Sequence, residues 1–433
     1  MTGATDHQVI VVGAGLAGLR CATDLDAAGR DVVVLESRSR VGGRVWSHRF
    51  ADGQWAERGA EFVDRAHREV LDLVDRLGLQ LSTVTCGRDR GRCLLDVGGR
   101  PAPFTFHHSL DDDLRRYEDA MAELAALVDV DDPAGPGSAM LDDVPLSAVV
   151  ERLGLSLMAR VVVGRDIRSE FMLGPDEVSQ LMAAWMTALH LRSGDDWEGF
   201  RVVGGNDQLA IGLAAPLGDR IRLDTPVAIV EPDDGAVVLA DGSRLTAEHL
   251  VVTVPLPVLG RMWHDIPNEL SRTGYGVGGK VSVQFGRRVW RDYGRDGSVR
   301  TERAWGELWE TSDDMPGDAG VMTALLSSHD GAALMSLPDL VDRVVAEIER
   351  IFPGSKGLAG ERVATDWTDD PWALGAFATF GPGQLLAAWP LLRARHGRMA
   401  LAGEHTDTWA GYMEGALRSG ARAARAILDG HDG

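Results

Sequence analysis

The chain has 433 residues, of which 45% are hydrophobic and 25% are charged. This globular composition excludes intrinsic disorder and collagen-like structure, and the length predicts two or three domains. The formal charge of −21 disfavours general binding to nucleic acid phosphates or anionic membranes, because the average field repels both.

The cysteines and the N-terminus bear on the compartment. Cys21, Cys86 and Cys93 are too few for a disulfide framework. No basic segment precedes an apolar core in the opening residues, and the apolar run over 9–19 is too short to span a bilayer. We therefore expect a soluble, cytoplasmic protein.

The first elements in chain order form a βαβ unit. Residues 8–13 read as a buried strand, and residues 16–29 carry apolar side chains at helical spacing up to Gly29. Residues 31–36 read as a second buried strand. Because both strands are nearly continuous valine runs, the pattern predicts parallel strands that are covered on both faces.

The rest of the chain alternates helical and strand segments. We predict helices over 66–77, 111–128, much of 145–192, 338–352 and 414–429, with strands or hairpins over 92–103, 219–255, 279–286, 304–310 and 398–404. This order suggests a nucleotide-binding domain that is interrupted by insertions.

The turn between the first strand and helix carries the pattern GxGxxG. Gly13 permits the tight turn, Gly15 lets the backbone approach a pyrophosphate, and Gly18 allows the helix to pack close to the strand. The helix N-terminus then favours the phosphate charge. Glu36, at the end of the second strand, can accept hydrogen bonds from ribose hydroxyls and disfavours NADP. The unit therefore predicts a dinucleotide site but does not separate NAD from FAD.

A second glycine pair follows at Gly42-Gly43, flanked by Arg38 and Arg44. Two arginines can reach phosphate, and the glycines permit another close backbone approach. Taken alone, such a segment is equally compatible with an ordinary loop.

Several blocks together resemble the flavin-containing amine oxidase family, which includes monoamine, polyamine and L-amino acid oxidases. The resembling blocks cover residues 9–44, 55–79, 202–231, 278–290, 366–383 and 401–428. The most specific is the last, LAGEHTDTWAGYMEGALRSGARAARAIL, whereas residues 86–200 match weakly.

The resemblance implies an α/β fold with a Rossmann-like FAD-binding domain in three discontinuous segments and an inserted α+β substrate domain. We expect the FAD-binding domain at 1–80, 202–262 and 390–433, and the substrate-binding domain at 81–201 and 263–389. Some family members attach FAD through a cysteine, but Ala376 stands at that position in this chain. The resemblance therefore implies non-covalent FAD.

The family's cofactor contacts carry over residue by residue. Gly13, Gly15 and Gly18 match the pyrophosphate turn, and Glu36 matches the ribose ligand. Arg38, Gly43 and Arg44 match positions around the pyrophosphate and flavin, and Val227 matches a backbone contact to adenine. Trp372 matches an aromatic side chain near the flavin, Glu404 an acidic residue near the ribityl region, and Met413 a backbone N–H that faces the flavin pyrimidine oxygen.

Three residues match the family's catalytic positions. Lys280 matches the lysine that holds a water near flavin N5, and alternation places Lys280, Ser282 and Gln284 on one face of its strand. The chain has only two lysines, so a lysine at this position suggests that arginine would not serve. Tyr412 and Phe377 match the two walls of an aromatic cage that would orient a neutral amine.

Other patterns are weaker. L-amino acid oxidases usually carry an arginine for the substrate carboxylate near Glu61, but Arg65 is offset from that position. Glu61 could attract a cation or bond only to a loop. No metal-ligand motif is evident, and we interpret His107-His108 as solvated or structural. The GxxxxGK pattern at 274–280 is rejected as a P-loop because Val281 replaces Ser/Thr.

Our leading functional hypothesis is FAD-dependent amine oxidation. Hydride would pass from the amine α-carbon to flavin N5, the imine would hydrolyse, and O₂ would reoxidise the flavin to give H₂O₂. We expect a small-molecule amine substrate, no nucleic acid or membrane partner, and a possible homodimer. The alternatives are flavin-dependent C–C dehydrogenation, as in protoporphyrinogen oxidases and carotenoid desaturases, and a non-catalytic binding protein similar to GDP-dissociation inhibitors.

Overall fold

A computed structural model describes residues 5–87, 91–104, 108–194 and 198–430, with the backbone alone at 108 and 109. His107 lies outside the described residues, and so does the side chain of His108. Our interpretation of that pair therefore stays a prediction.

Strands and helices alternate along the described part of the chain. The strands are β1 (His7–Val12), β2 (Val32–Leu35), β3 (Ser47–Arg49), β4 (Trp55–Glu57), β5 (Leu81–Thr83), β6 (Leu94–Val97), β7 (Arg100–Pro103), β8 (Phe200–Val202), β9 (Ile221–Arg222), β10 (Val227–Glu231), β11 (Ala236–Leu239), β12 (Arg244–Val252), β13 (Gly278–Phe285), β14 (Val299–Thr301), β15 (Glu307–Glu310), β16 (Gly320–Ser327), β17 (Ala359–Asp366), β18 (Arg395–His396) and β19 (Met399–Leu401). The helices are α1 (Leu16–Ala27), α2 (Arg68–Arg76), α3 (His108–Ala125), α4 (Ala139–Asp142), α5 (Ser147–Leu153), α6 (Leu157–Phe171), α7 (Gln180–Ser193), α8 (Asp207–Ala214), α9 (Leu256–Met262), α10 (Asn268–Ser271), α11 (Ser328–Met335), α12 (Leu340–Ile351), α13 (Leu385–Arg393) and α14 (Met413–Leu428).

The first large sheet is the predicted nucleotide-binding sheet. Its order is β10-β11-β12-β1-β2-β9, and β19 pairs with β12. Strand β1 lies between β12 and β2 and is parallel to both. Its residues 9–12 are all buried, as expected for a parallel strand that is covered on both faces. The strands come from three separated parts of the chain, as the resemblance implied. The carboxyl ends of β1 and β2 meet at one edge, where ligands of such sheets bind.

The second large sheet has the order β17-β13-β16-β15-β14-β6-β7. Its central strand β13 is antiparallel to β16 and β17. Val281, Val283 and Phe285 are fully buried in one hydrophobic cluster, while the Lys280 side chain lies on the other face. The predicted alternation along β13 is therefore confirmed. The domain boundaries proposed from the sequence stay a prediction.

The last helix completes the nucleotide-binding half. Helix α14 packs closely on α1, because a Cβ at Gly420 would lie 2.2 Å from the carbonyl oxygen of Ala17. The buried carboxylate of Glu414 accepts the N–H groups of Glu69 and Val70 at the start of α2, at 3.2 and 3.1 Å. These contacts fix the N-terminal end of α14 beside the first segment of the chain.

The structure corrects the last predicted strand. We predicted a strand over 398–404 that ends at Glu404, but β19 ends at Leu401 and Glu404 begins a short 3₁₀ turn. Gly403 adopts φ 138°, and its N–H binds the Ser419 hydroxyl instead of a neighbouring strand. The chain thus leaves the sheet before Glu404, which frees that carboxylate to face the cavity described below.

Glu57 gives a pH-dependent prediction for stability. Its carboxylate is completely buried and accepts the Ser47 hydroxyl at 2.7 Å and the Asn206 N–H at 2.9 Å. Burial raises the pKa of Glu57 to about 7. The native fold therefore binds this proton more tightly than the unfolded chain does. The stability that comes from the protonated form is complete below about pH 4.3 and is lost as the pH rises through 7.

Replacing Glu57 by glutamine removes this titration. We expect the free energy of unfolding of Glu57→Gln, relative to the native sequence, to rise by about 3 kcal/mol between pH 4.5 and 7. Urea denaturation at several pH values, with the FAD concentration held constant, measures this difference. Two stability curves that run parallel across this pH range would contradict the assignment.

Candidate functional site

One cavity runs from the glycine-rich turn to the N-terminus of α14. Twelve of the fourteen site residues that we predicted line it: Gly13, Gly15, Glu36, Arg38, Gly43, Arg44, Lys280, Trp372, Phe377, Glu404, Tyr412 and Met413. Gly18 lies behind the turn, and Val227 lies in the core at the start of β10. The fold therefore brings together residues that are up to 400 positions apart.

The glycine-rich turn fits a pyrophosphate. Gly13 adopts φ 102°, and a Cβ at Gly18 would lie only 2.0 Å from the Gly13 carbonyl oxygen. Gly15 is the N-cap of α1 and lines the cavity. A Cβ at Gly15 would meet no protein atom within 4 Å, so the space beside this residue is open. No side chain caps α1, so its N-terminal N–H groups are left for an anion.

Glu36 lies where a ribose would be recognised. The carboxylate follows β2, is 6% exposed and accepts the N–H groups of Ala14 at 2.7 Å and Arg38 at 2.9 Å. Burial raises the pKa of Glu36, against the opposing effect of these hydrogen bonds. The Thr225 N–H donates to the Glu36 carbonyl oxygen at 2.8 Å, so the segment before Val227 lies beside Glu36. The adenine contact of Val227 stays a prediction.

An ion pair joins the second glycine loop to the C-terminal segment. Arg44 donates to Glu404 at 3.0 Å and to the Ala376 carbonyl oxygen at 2.6 Å. Burial alone would raise the pKa of Glu404, but Arg44, His405 and the Gly411 N–H hold it below its usual range. Glu404 is therefore an ionised carboxylate of the cavity wall.

The N-terminus of α14 points into the same cavity. Tyr412 is its N-cap and Met413 is its first residue, and no side chain caps the helix. The uncapped N–H groups and the positive helix end favour negative charge. With two such helix ends, the glycine cradle and Glu36, the described residues fit FAD.

Lys280 projects from β13 into the cavity wall. Its ammonium group donates to the Gly59 carbonyl oxygen at 2.9 Å and to Glu61 at 2.7 Å. The nitrogen also lies 5.2 Å from the centre of the Trp309 ring. The side chain is only 12% exposed, so these contacts hold a largely desolvated cation.

The two predicted cage residues line the cavity close to each other in the fold. The Phe377 ring lies against Gly411, where an added Cβ would come within 3.3 Å of it, and Tyr412 is the next residue. The Tyr412 hydroxyl donates to Glu170 at 3.1 Å and lies 3.4 Å from His190. Burial, followed by the charge of Glu170, raises the pKa of Tyr412, so the phenol stays protonated.

Glu170 and His190, the two groups next to the Tyr412 hydroxyl, also have pKa values that differ from the usual ones. Burial raises the pKa of Glu170 to about 7, against the hydrogen bond from Tyr412, and lowers the pKa of His190 to about 3. His190 is thus neutral at physiological pH. Both residues come from helices α6 and α7, and together they fix the direction of the phenol.

Sequence reasoning missed several residues in and around the cavity. The cavity is also lined by Asp64, Met172, Glu198, Trp309 and Leu325. Arg201 does not line the cavity but donates a hydrogen bond to Glu61. Glu170 and Glu198 fall in the weakly matched region 86–200. Arg201 stands beside the matched block that begins at residue 202, and only its complete burial distinguishes it from an ordinary strand arginine.

Two negative findings apply to the described residues. No three His, Cys, Asp or Glu side chains among them are placed to hold a metal ion. Within the same ranges, every helix is too short or too polar to cross a bilayer.

The fold and cavity fit a dinucleotide-binding protein, and comparison with known proteins identifies the family. The family profile described as flavin containing amine oxidoreductase matches residues 16–428, so the chain belongs to that family. The protein is therefore a flavin-dependent amine oxidoreductase with FAD as its cofactor. Ala376 offers no thiol for attachment, in keeping with non-covalent FAD.

Relatives of different activities match nearly the whole chain. An L-amino acid dehydrogenase from Synechocystis is 26% identical over 99% of this chain and 96% of its own length. Human amine oxidase [flavin-containing] B is 25% identical over 97% of this chain and 86% of its own. The structure of cyclohexylamine oxidase from Brevibacterium oxydans matches with a TM-score of 0.86 and 25% identity, covering 98% of this chain and 99% of that one. Putrescine oxidase, at 24% identity and a TM-score of 0.86, shares the fold.

The glycine-rich turn yields a matched pair of variants. In Gly18→Ala the new methyl group collides with the Gly13 carbonyl, so we expect the apoprotein to lose about 1–3 kcal/mol of stability. In Gly15→Ala the methyl group enters open space at an ordinary φ of −74° but projects where a pyrophosphate would approach. We expect apoprotein stability near that of the native sequence and FAD affinity weaker by about tenfold.

Thermal unfolding of the apoprotein and fluorescence titration with FAD separate the two effects. Equal loss of apoprotein stability in both variants would contradict this account of the turn. Unchanged FAD affinity in Gly15→Ala would contradict the pyrophosphate assignment.

Proposed function

We propose that this protein oxidises an amine without a carboxylate group, and that O₂ is the electron acceptor. One observation carries the proposal: Lys280, Phe377 and Tyr412 line the same cavity as the FAD-type cradle. Bound FAD would supply the hydride acceptor for the amine α-carbon and the route by which electrons reach O₂.

The residues of the chain would orient the amine. The rings of Phe377 and Tyr412 restrict the substrate to a slot, because both line the cavity and the Phe377 ring lies against the residue before Tyr412. Phe377 has no hydroxyl, and the Tyr412 hydroxyl is engaged by Glu170. The slot therefore acts mainly through its ring faces, which suit a neutral amine.

Lys280 would hold a water molecule beside the reacting carbon. An ammonium group has three N–H donors, of which two bind Gly59 and Glu61. One donor remains for a group in the cavity. A compact point charge suits this position better than the planar guanidinium of arginine.

The charges around the cavity argue against amino acids as substrates. Each described cation in the wall has a carboxylate partner: Lys280 pairs with Glu61, Arg38 with Asp370, and Arg44 with Glu404. Asp64 and Glu198 also line the cavity. Burial raises the pKa of Glu198 to about 8, so this side chain is largely neutral near pH 7. Among the described lining residues, a substrate carboxylate would therefore meet the acidic Asp64 and no cation that lacks a carboxylate partner.

The rival reaction is dehydrogenation of an L-amino acid, the activity in the name of the Synechocystis relative. The proposal is tested by anaerobic mixing of the holoenzyme with monoamines, polyamines and L-amino acids while the oxidised flavin absorbance is followed. We expect one of the first two classes to bleach the flavin, and air to restore the colour with release of H₂O₂.

Each other outcome overturns a stated part of the proposal. Bleaching by L-amino acids alone would overturn the substrate class, and bleaching without recovery in air would overturn O₂ as acceptor. If no amine bleaches the flavin and a porphyrinogen or a polyene does, the reaction is C–C dehydrogenation.

The two lysines of the chain provide a test of the role of Lys280. Lys280→Met removes the donor, so we expect flavin reduction by the amine to slow by about a hundredfold. Lys356→Met removes an exposed lysine at the end of a 3₁₀ turn and serves as the control. Stopped-flow reduction of both variants gives the comparison, and equal rates would remove Lys280 from the mechanism.

A further inference from the structure

Glu61 is a buried carboxylate that connects three strands of the cavity wall. Its side chain is 1% exposed and accepts hydrogen bonds from Lys280 at 2.7 Å, Trp309 at 2.9 Å and Arg201 at 3.2 Å. These donors belong to β13, β15 and β8. Glu61 itself follows β4, so one carboxylate fixes the relative positions of four separate segments.

The charges in this group are nearly balanced. Arg201 is completely buried and also pairs with Asp313 and Asp314. Removal of Glu61 would leave Arg201 with two carboxylates but would leave Lys280 without a charged partner among the described residues. A buried cation that loses its partner is strongly unfavourable, so the effect of Glu61 falls mainly on Lys280.

The segment that carries Glu61 is itself fixed. The Ala60 N–H donates to the Arg44 carbonyl oxygen at 3.2 Å, and a Cβ at Gly59 would lie 1.9 Å from that same oxygen. The Asn206 side chain donates to the carbonyl oxygens of Ala60 and Glu61 at 3.1 and 2.7 Å. Both acceptors of the Lys280 ammonium, at Gly59 and Glu61, therefore belong to a rigid segment that lines the cavity.

We propose that Glu61 is the positioning residue for Lys280: its charge, together with the Gly59 carbonyl, fixes the ammonium group against the Trp309 ring so that one N–H faces the cavity. Glu61 acts through Lys280 and not through the substrate. The inference rests on the proposed role of Lys280, and the experiments below distinguish the failure of each.

The small number of lysines makes the first experiment selective. In holoenzyme labelled with ¹⁵N-lysine, we expect one ammonium signal that is protected from exchange with water. Lys356→Arg assigns this signal to Lys280. In Glu61→Gln the ammonium loses a charge-assisted hydrogen bond, so we expect its hydrogens to exchange with water at least about tenfold faster.

Glu57→Gln is the matched control. It also replaces a fully buried carboxylate, one that lies four residues away and makes no hydrogen bond to Lys280. We expect the protected signal to be unchanged in this variant. Loss of protection in both variants would assign the effect to general loosening of the fold and overturn the proposal.

A double-mutant cycle on flavin reduction gives the second readout. We expect Glu61→Gln to slow reduction by about tenfold in the native background and by less than about twofold in the Lys280→Met background. If Glu61→Gln slows reduction equally in both backgrounds, Glu61 does not act through Lys280 and its positioning role is overturned. The proposed role of Lys280 would be unaffected by that result. No effect of Lys280→Met would instead overturn the proposed function of Lys280.

Glu61→Asp keeps the test decisive if the glutamine variant does not fold. It retains the charge but is one methylene shorter, so it cannot reach Lys280 and Trp309 together. We expect it to bind FAD normally and to show intermediate exchange protection and reduction rate. Native protection and rate in Glu61→Asp would show that the geometry of the carboxylate is irrelevant and would overturn the proposal.

Discussion

The ion pair between Arg44 and Glu404 is the contact on which the site depends. It joins residues that are 360 positions apart in the chain. Glu404 also accepts the N–H of Ala378 at 3.2 Å and that of Gly411 at 2.8 Å. Since these N–H groups stand next to Phe377 and Tyr412, a single carboxylate sets the separation of both cage walls and connects them to the second glycine loop.

The pairing of charges extends through the cavity. A formal charge of −21 supplies many carboxylates, and the wall uses three of them to neutralise its three described cations. Pairing keeps each cation in one orientation, and the other lining residues include the acidic Asp64 and the aromatic Phe377 and Tyr412. The family fold is shared by relatives that are named for amino acids and for amines, so the fold alone does not determine the substrate.

Local sequence patterns predicted the parts of the site that depend on local geometry. The spacing of Gly13, Gly15 and Gly18 fixes a turn within six residues, and alternation along β13 fixes the face of Lys280. Contacts between segments that are distant in the chain produce no local sequence pattern from which they could be predicted. The bond between Tyr412 and Glu170 spans 242 positions and reaches into a poorly matched region. Glu404 was identified, but its position in a turn depends on Gly403 and Ser419 and not on strand pattern.

The packing of α14 on α1 also determines when the protein can mature. The first βαβ unit is synthesised early, but the wall of its ligand site includes residues between Gly403 and Ala416. Gly420 must fit against Ala17 before those residues are in place. A nascent chain on the ribosome therefore carries the glycine-rich turn long before it can enclose a dinucleotide. Enclosure of a dinucleotide therefore requires the C-terminal residues, and apolar surface of α1 that α14 covers in the folded protein is uncovered until that helix packs.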